Sequence, residues 1–255
     1  AALKHVPVVA YNPFEAVKTN ITGAQNIISG CLENDVKVAL AVGTDKAVSP
    51  LSTYGATKLL MERLFVTANF FKGQKKCKFV CVRYGNVMGS RGSVIPKFVE
   101  QITLKNQIKI TDLTMTRFTM TMNEAVDLIL RALQYGKGGE IFVPKLKAYQ
   151  LEHLVEALKK NLKKQPKTKK INIRPGEKYH EILINKNELR NTFENKKDYV
   201  ILPDTNLYNY PQKSKMKRVR FTSEYSSDKV KLLTEKELNN IFKNDSLVND
   251  ILKIK

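Results

Sequence analysis

The 255-residue chain contains no tryptophan, only three cysteines and three histidines, and no long apolar run. Its longest continuous apolar stretches are short ones such as Val38-Ala39-Leu40-Ala41-Val42. A helix crossing a bilayer needs about 20 apolar residues, so no membrane span is expected. Cys31, Cys77 and Cys81 are an odd number at C-x45-C-x3-C spacing, which fits neither a disulfide framework nor a four-thiolate zinc site. They read as reduced packing residues of a cytoplasmic protein. His5, His153 and His180 are scattered, and no H-E-x-x-H spacing sets two imidazoles on one helical face, so no metal is predicted. The first residue is Ala1, and no basic-then-apolar leader follows it. The chain is therefore expected to be either processed or incomplete.

Acidic residues are also scarce: 24 stand against 44 basic ones, a formal charge of +20. The excess runs through both halves and gathers in two clusters. One comprises Lys159, Lys160, Lys163, Lys164, Lys167, Lys169 and Lys170; the other comprises Lys213, Lys215, Lys217, Arg218 and Arg220. Such charge can bind nucleic acid by counterion release. However, neither cluster interleaves aromatics for base stacking, and neither belongs to a helix-turn-helix or zinc module. A solvated lysine-rich surface that attracts small anions is the expected reading, without nucleic acid as a partner. With 42% apolar and 27% charged residues, the chain can bury a core and is not disordered.

The first half alternates helix-like and strand-like segments. Residues 13–34 open with Pro13 at a plausible first helical position and carry Ala16, Val17, Ile21, Ala24, Ile27, Ile28 and Cys31 at near-helical spacing. A buried strand is predicted over 36–43, a helix over 54–71 and a strand over 78–84. Strand, helix and strand in this order imply a right-handed crossover in a parallel sheet. After Gly92 the elements shorten: helix near 93–105, strand at 108–110, helix at 123–135, strand at 140–143 and an amphipathic helix from Leu151 to Leu162. From about 165 onward the chain is polar and weakly periodic, and an irregular C-terminal region is expected. The fold class is α/β: a Rossmann-like parallel sheet over 1–92, then a smaller, mainly substrate-binding lobe over 93–255 with segments returning to the core.

The strongest chemical signal is Thr44-Asp45-Lys46 at the carboxyl end of the first strand, followed by Tyr54-Gly55-Ala56-Thr57-Lys58 at the start of a helix. Ligands of parallel sheets sit beyond the carboxyl ends of the strands. The i, i+4 spacing stacks Tyr54 and Lys58 on one helical face, where the ammonium of Lys58 would favour the phenolate. Taken alone, Y-x-x-x-K is weak evidence that arises often by chance in any helix, and a packed tyrosine with an exposed lysine is its ordinary reading. A strand-end hydroxyl followed ten residues later by Y-x-x-x-K is instead the arrangement of the short-chain dehydrogenase/reductase superfamily.

Further segments narrow the resemblance. They are 1–7 (AALKHVP), Tyr11-Asn12-Pro13, 15–20 (EAVKTN), 44–48 (TDKAV), 83–96 (RYGNVMGSRGSVIP), 115–118 (MTRF), 139–145 (GEIFVPK), 173–181 (IRPGEKYHE) and 223–227 (SEYSS). Over essentially its whole length the chain resembles the inverting UDP-N-acetylglucosamine 4,6-dehydratases, the polysaccharide-biosynthesis branch of the extended short-chain dehydrogenases.

That resemblance implies an NADP-dependent lyase acting on a UDP-sugar for nonulosonic acid or surface-glycan synthesis, within a homo-oligomer. Tyr54 would take the 4-hydroxyl proton while C4 gives up hydride; Lys58 would hold the ribose and bias Tyr54; Thr44 would bond the reacting oxygen. Lys46, its ammonium lowered by burial and neighbouring cations, would remove the C5 proton. Asp45, kept protonated by burial, would donate to the departing 6-hydroxyl. Retaining dehydratases resemble this chain but carry Asp-Glu at this pair, and an epimerase needs only the hydroxyl, tyrosine and lysine. Ala2, Asn20, Tyr84, Gly85 and Val87 join Tyr54 and Lys58 as implied cofactor contacts, with Gly85 allowing close backbone approach. Lys4, Asn86, Arg91, Val94, Arg117, Arg174 and Glu177 are the implied substrate contacts, the arginines suiting a diphosphate and Glu177 the ribose hydroxyls. The chain departs from the family pattern at Gly43, often serine, and at Thr119, often a large aromatic.

No strand–G-x-G-x-x-G–helix opening is present; Gly89-Ser90-Arg91-Gly92 and Gly136-Lys137-Gly138-Gly139 have neither its spacing nor its context. On the order of 90 residues, about three βα units, are expected to be missing. These 255 residues alone are then expected to bind the cofactor poorly and to be inactive. The alternatives are a related nucleotide-sugar epimerase and a non-catalytic basic nucleic-acid-binding protein.

Overall fold

The computed structural model describes residues 2–203 and 216–253; Ala1, Lys213 and Lys215, named above, lie outside them. By its contacts the chain divides into two compact units: 1–84, 126–145 and 182–225 form the first, and 85–125, 146–181 and 226–255 the second. The break after Tyr84 falls before the boundary expected at residue 92.

The first unit is built on a six-stranded sheet in the order Val38–Val42, Lys78–Val82, Ile141–Pro144, Asp198–Ile201, Thr192–Glu194, Lys217–Arg218. Its first three strands are parallel, with Val42 opposite Val82 and Val82 opposite Phe142, as the strand–helix–strand order requires. Val82, Leu128, Ala132, Phe142 and Val200 form a buried cluster. Lys217 and Arg218, two of the three described residues of the second basic cluster, lie exposed on the edge strand, where charge discourages further strand pairing.

The predicted 13–34 helix forms as Pro13–Val17, a π-turn at Lys18–Thr22 and Gly23–Glu33; such insertions recur at functional sites. The Thr53–Phe71 helix starts where the Ser52 hydroxyl accepts from the Gly55 N–H at 3.2 Å, satisfying one of the orphan donors of the first turn. On the same helix, buried Asn69 exchanges hydrogen bonds with the backbone of Phe79 and locks the helix to its strand.

The second unit pairs Leu232–Leu233, Lys147–Gln150, Thr116–Met120 and Asn86–Val87 in one sheet and Gln107–Ile110 with Lys167–Lys170 in another. Its core gathers Phe98, Ile102, Ile108, Met115, Leu154, Leu158, Leu238 and Phe242. Lys167–Lys170 is exposed throughout. The expected irregular C-terminal region is corrected: helices run over Glu235–Asn244 and Ser246–Lys253. The first begins with a reciprocal capping box between Thr234 and Glu237 and buries Leu238 and Phe242 at helical spacing. Among the described residues no helix is long and apolar enough to cross a membrane.

Candidate active site

The strand tip of the first unit is shaped by one close approach. The Gly43 N–H donates to the Val82 carbonyl at 2.6 Å, and a Cβ on Gly43 would stand only 2.7 Å from that oxygen, so glycine fits here where serine would force a shift. The Asp45 N–H donates to the Tyr84 carbonyl at 3.1 Å. A short 3-10 turn, Asp45–Ala47, follows, with extended Thr44 as its cap.

Within this turn Asp45 is fully buried. Its Oδ1 accepts from Thr44 Oγ1 at 2.9 Å and from Lys46 Nζ at 3.0 Å, whereas Oδ2 is buried without a hydrogen-bond partner. An orphaned carboxyl oxygen is costly unless something else engages it. The helix bearing Tyr54 packs directly on this turn. A Cβ on Gly55 would lie 2.2 Å from the Lys46 carbonyl oxygen, so the glycine after Tyr54 is what lets helix and turn meet.

Tyr54 is buried. Burial raises its phenol above the usual range; the Lys46 ammonium and the Thr44 hydroxyl pull it down, and Asp45 and Tyr84 push it up. Desolvation dominates, and the cation acting on the phenol is Lys46, where the sequence pointed to Lys58 together with a cationic nicotinamide. Lys58 is lowered by burial, against the opposing influence of Cys81 and Glu62. Its Nζ donates to the Val42 carbonyl at 2.6 Å and to Met61 Sδ at 3.1 Å. One of its three N–H groups therefore has no partner among the described residues.

Asn20, in the π-turn, is almost fully buried. It accepts from the Leu3 N–H at 2.9 Å and donates to the Leu3 carbonyl and to Thr57 Oγ1, both at 3.0 Å. It clamps the 2–5 segment to the Tyr54 helix. Ala2 and Lys4 on that segment are exposed. Tyr84 stands at the end of the neighbouring strand, half-buried.

In the second unit, Asn86, Val94, Arg117, Arg174 and Glu177 line one cavity; Arg91 is exposed and does not line it. Arg174-Pro175-Gly176-Glu177 is a turn closed by the Glu177 N–H on the Arg174 carbonyl at 2.9 Å, with Gly176 at φ +77°, the conformation that favours glycine. Glu177 Oε2 accepts from Thr111 Oγ1 at 2.9 Å. Arg117 donates to the carbonyls of Thr116 (2.7 Å) and Tyr179 (3.1 Å) and stands 3.7 Å from Glu177 and 3.9 Å from Glu181, so its charge is largely committed within its own unit.

Val87 lies on a strand parallel to Thr116–Met120, opposite Met120. The close approach that Gly85 permits is to the chain itself, a Cβ there falling 2.5 Å from Phe118 Cβ. Buried Thr119, opposite Asn86, leaves its hydroxyl without a partner.

Sequence reasoning missed Lys97, Gln101, Lys109 and Thr111, which also line the cavity. Lys97 and Gln101 are one turn apart on the Val94–Lys105 helix, and Lys109 is the exposed position between buried Ile108 and Ile110. Four cations against one carboxylate make the cavity suited to an anion.

A family model described as polysaccharide biosynthesis protein matches residues 1–203. The chain is 43% identical to a protein named UDP-N-acetylglucosamine 4,6-dehydratase (inverting) from Campylobacter jejuni, over 94% of this chain and 74% of that one. It is 37% identical to a Rickettsia felis protein named UDP-glucose 4-epimerase, over 99% of this chain and 75% of that one. The crystal structure of Pen from Bacillus thuringiensis superimposes with a TM-score of 0.89 at 40% identity, covering 97% of this chain and 75% of that one.

Proposed function

Because the chain belongs to the polysaccharide biosynthesis protein family, we propose that it acts as an inverting UDP-N-acetylglucosamine 4,6-dehydratase that uses NADP. The observation that carries this reading is buried Asp45, held between the Thr44 hydroxyl and the Lys46 amine with one oxygen unengaged. Oxidation at C4 has no use for such a group, whereas elimination of water from C5 and C6 needs both a base and an acid.

The residues present fit the nicotinamide end of a dinucleotide: the remaining N–H of Lys58 suits a ribose hydroxyl, and Tyr54 stands one turn before it on the same helix. A bound NADP would supply the hydride chemistry, as acceptor at C4 and donor at C6. Tyr54 accepts the proton of the 4-hydroxyl, and Thr44 holds that oxygen. The resulting 4-ketone acidifies C5–H. Lys46 as the free amine removes that proton while Asp45 as the acid protonates the departing 6-hydroxyl, so water leaves and a C5–C6 double bond remains. A single proton shift along the 3.0 Å contact between Lys46 Nζ and Asp45 Oδ1 converts ammonium and carboxylate into this amine and acid without changing the net charge. Reprotonation of C5 from the opposite face inverts the centre.

In the second unit, Arg174, Lys97 and Lys109 would receive the diphosphate. The free thiols Cys31, Cys77 and Cys81 fit the reducing cytoplasm. Homo-oligomerisation is the last element of the proposal.

The test is to express the protein from its complete gene and follow UDP-N-acetylglucosamine by NMR in D2O. Deuterium at C5 with loss of the 6-hydroxyl is expected. The name carried by the Rickettsia relatives favours a second reading, C4 epimerisation. A C4 epimer formed without loss of water, and undiminished in Lys46→Ala, would establish that reading instead. Thermal shifts with NADP and with NAD decide the cofactor.

A further inference from the structure

Below the Tyr54–Lys58 face, the Thr53–Phe71 helix carries a third residue in register, Glu62, four positions after Lys58. Glu62 is fully buried and so is Arg83, on the neighbouring strand's extension. Arg83 Nε and Nη2 donate to Glu62 Oε2 (3.0 Å) and Oε1 (2.5 Å); Nη1 and Nη2 donate to Glu188 Oε2 (3.0 Å) and Oε1 (2.9 Å); Nη1 also donates to the Leu183 carbonyl at 2.8 Å. All five guanidinium N–H groups are engaged.

One buried guanidinium between two carboxylates leaves an excess negative charge. An uncompensated charge is expensive in the interior. Arg63, 3.9 Å from Glu188 with its side chain 53% exposed, is solvated and offsets little of it. A second buried cation, Lys58, 5% exposed, lies one helical turn from Glu62 on the same helix. Glu62 also lies under the strand tip, its Oε2 3.4 Å from where a Gly43 Cβ would be. The network thus ends at the residue preceding Thr44.

We propose that Glu62, clamped by Arg83, is the positioning residue of Lys58, the buried counter-charge that holds its side chain as an ammonium aimed at the strand tip. The groups acting on Lys58 are consistent with this. Burial lowers it, and Cys81 and Glu62 oppose the fall. The Cys81 thiol is itself pushed well up by burial and stays neutral near pH 7, which leaves Glu62 as the standing charge. Val42 and Met61 supply only a carbonyl and a thioether. On the turn that packs against the helix, Asp45 and Lys46 offset each other.

The proposal rests on the dehydratase reading only for what Lys58 does; the charge state can be read without sugar or cofactor. The experiment is a pH titration of the Lys58 ε-carbon by NMR in lysine-labelled protein expressed from the complete gene, the signal assigned by its absence in Lys58→Arg. In Glu62→Gln the midpoint should fall by about one pH unit or more, a tenfold change in the amine-to-ammonium ratio. In Glu188→Gln, which removes the other partner of Arg83, it should move by less than about a third of a unit, and Glu62→Asp should restore most of the fall. If Glu62→Gln does not fold, Glu62→Gln/Arg83→Gln leaves no guanidinium facing an amide and should give the same fall. An unchanged midpoint without Glu62, or an equal fall without Glu188, would overturn the proposal and leave the network a purely structural one. A dehydratase assay that failed while the midpoint shifted would remove the functional reading and keep this one.

Discussion

Lys58 Nζ donates to the Val42 carbonyl at 2.6 Å, which ties the helix that carries Tyr54 to the tip of the strand that leads into Thr44. One bond thereby fixes the spacing between the phenol and the turn bearing Asp45 and Lys46. Lys58→Met keeps the stem and removes both the tie and the free N–H. Loss of activity by about 10²-fold or more is expected from misplaced acid–base groups, read as kcat/KM for the complete protein, with weaker cofactor binding seen by thermal shift.

Tyr54 is held above the ordinary phenol range chiefly by burial, with the Thr44 hydroxyl among the groups pulling it down. Removing that hydroxyl in Thr44→Val should therefore move the tyrosinate midpoint of Tyr54 upward. A spectrophotometric titration, taken as the difference from the same protein carrying Tyr54→Phe, reads the shift. Activity should fall in parallel and recover as the pH is raised, since a more basic phenol needs a higher pH to act as the base.

The Lys46–Asp45 contact makes a sharper chemical prediction. Lys46→Ala should abolish deuterium incorporation at C5, and Asp45→Asn should slow release of the 6-hydroxyl, each by about 10²-fold or more. NMR of the sugar products separates the two outcomes, because a variant lacking only the acid can still exchange the C5 proton.

In the second unit, Lys97, Lys109 and Arg174 line the same cavity as Glu177. Arg174→Ala and Lys97→Ala should each weaken UDP binding by about 10-fold, the scale of one charge-assisted hydrogen bond, raising KM with little change in kcat. The binding isotherm should also lose part of its salt dependence.

Much of this was legible in the sequence, for reasons that differ by residue. Tyr54 and Lys58 are separated by one helical turn, and Thr44 follows a run of β-branched and apolar residues, so local periodicity places them. The Thr234–Glu237 capping box was equally local and could have located the Glu235–Asn244 helix, but polar composition masked it. Lys97 and Lys109 could not be singled out among 44 basic residues until the Gln107–Ile110 strand showed which of its faces is buried. Arg83 meets Glu62 across 21 positions and Glu188 across 105, and no spacing rule reaches that far.

The acid side of the stability profile follows from Glu188. Burial pushes its carboxyl up, but the charge and hydrogen bonds of Arg83, with the Asn185 backbone, outweigh this and leave it below its ordinary value of 4.5. A folded-state value below the unfolded one means that the unfolded chain binds the extra proton. The contribution is therefore fully present above 4.5 and is lost as the pH falls through the folded-state value. Glu188→Gln should destabilise the protein near neutral pH by about 2 kcal/mol, the scale of hydrogen bonds to a charged group, since Arg83 keeps its bidentate pairing with Glu62. The gap to the wild type should narrow as the pH is lowered from 5 toward 3. Urea unfolding midpoints across that range decide it: a gap independent of pH would mean that the carboxyl of Glu188 contributes no charge to the pairing with Arg83.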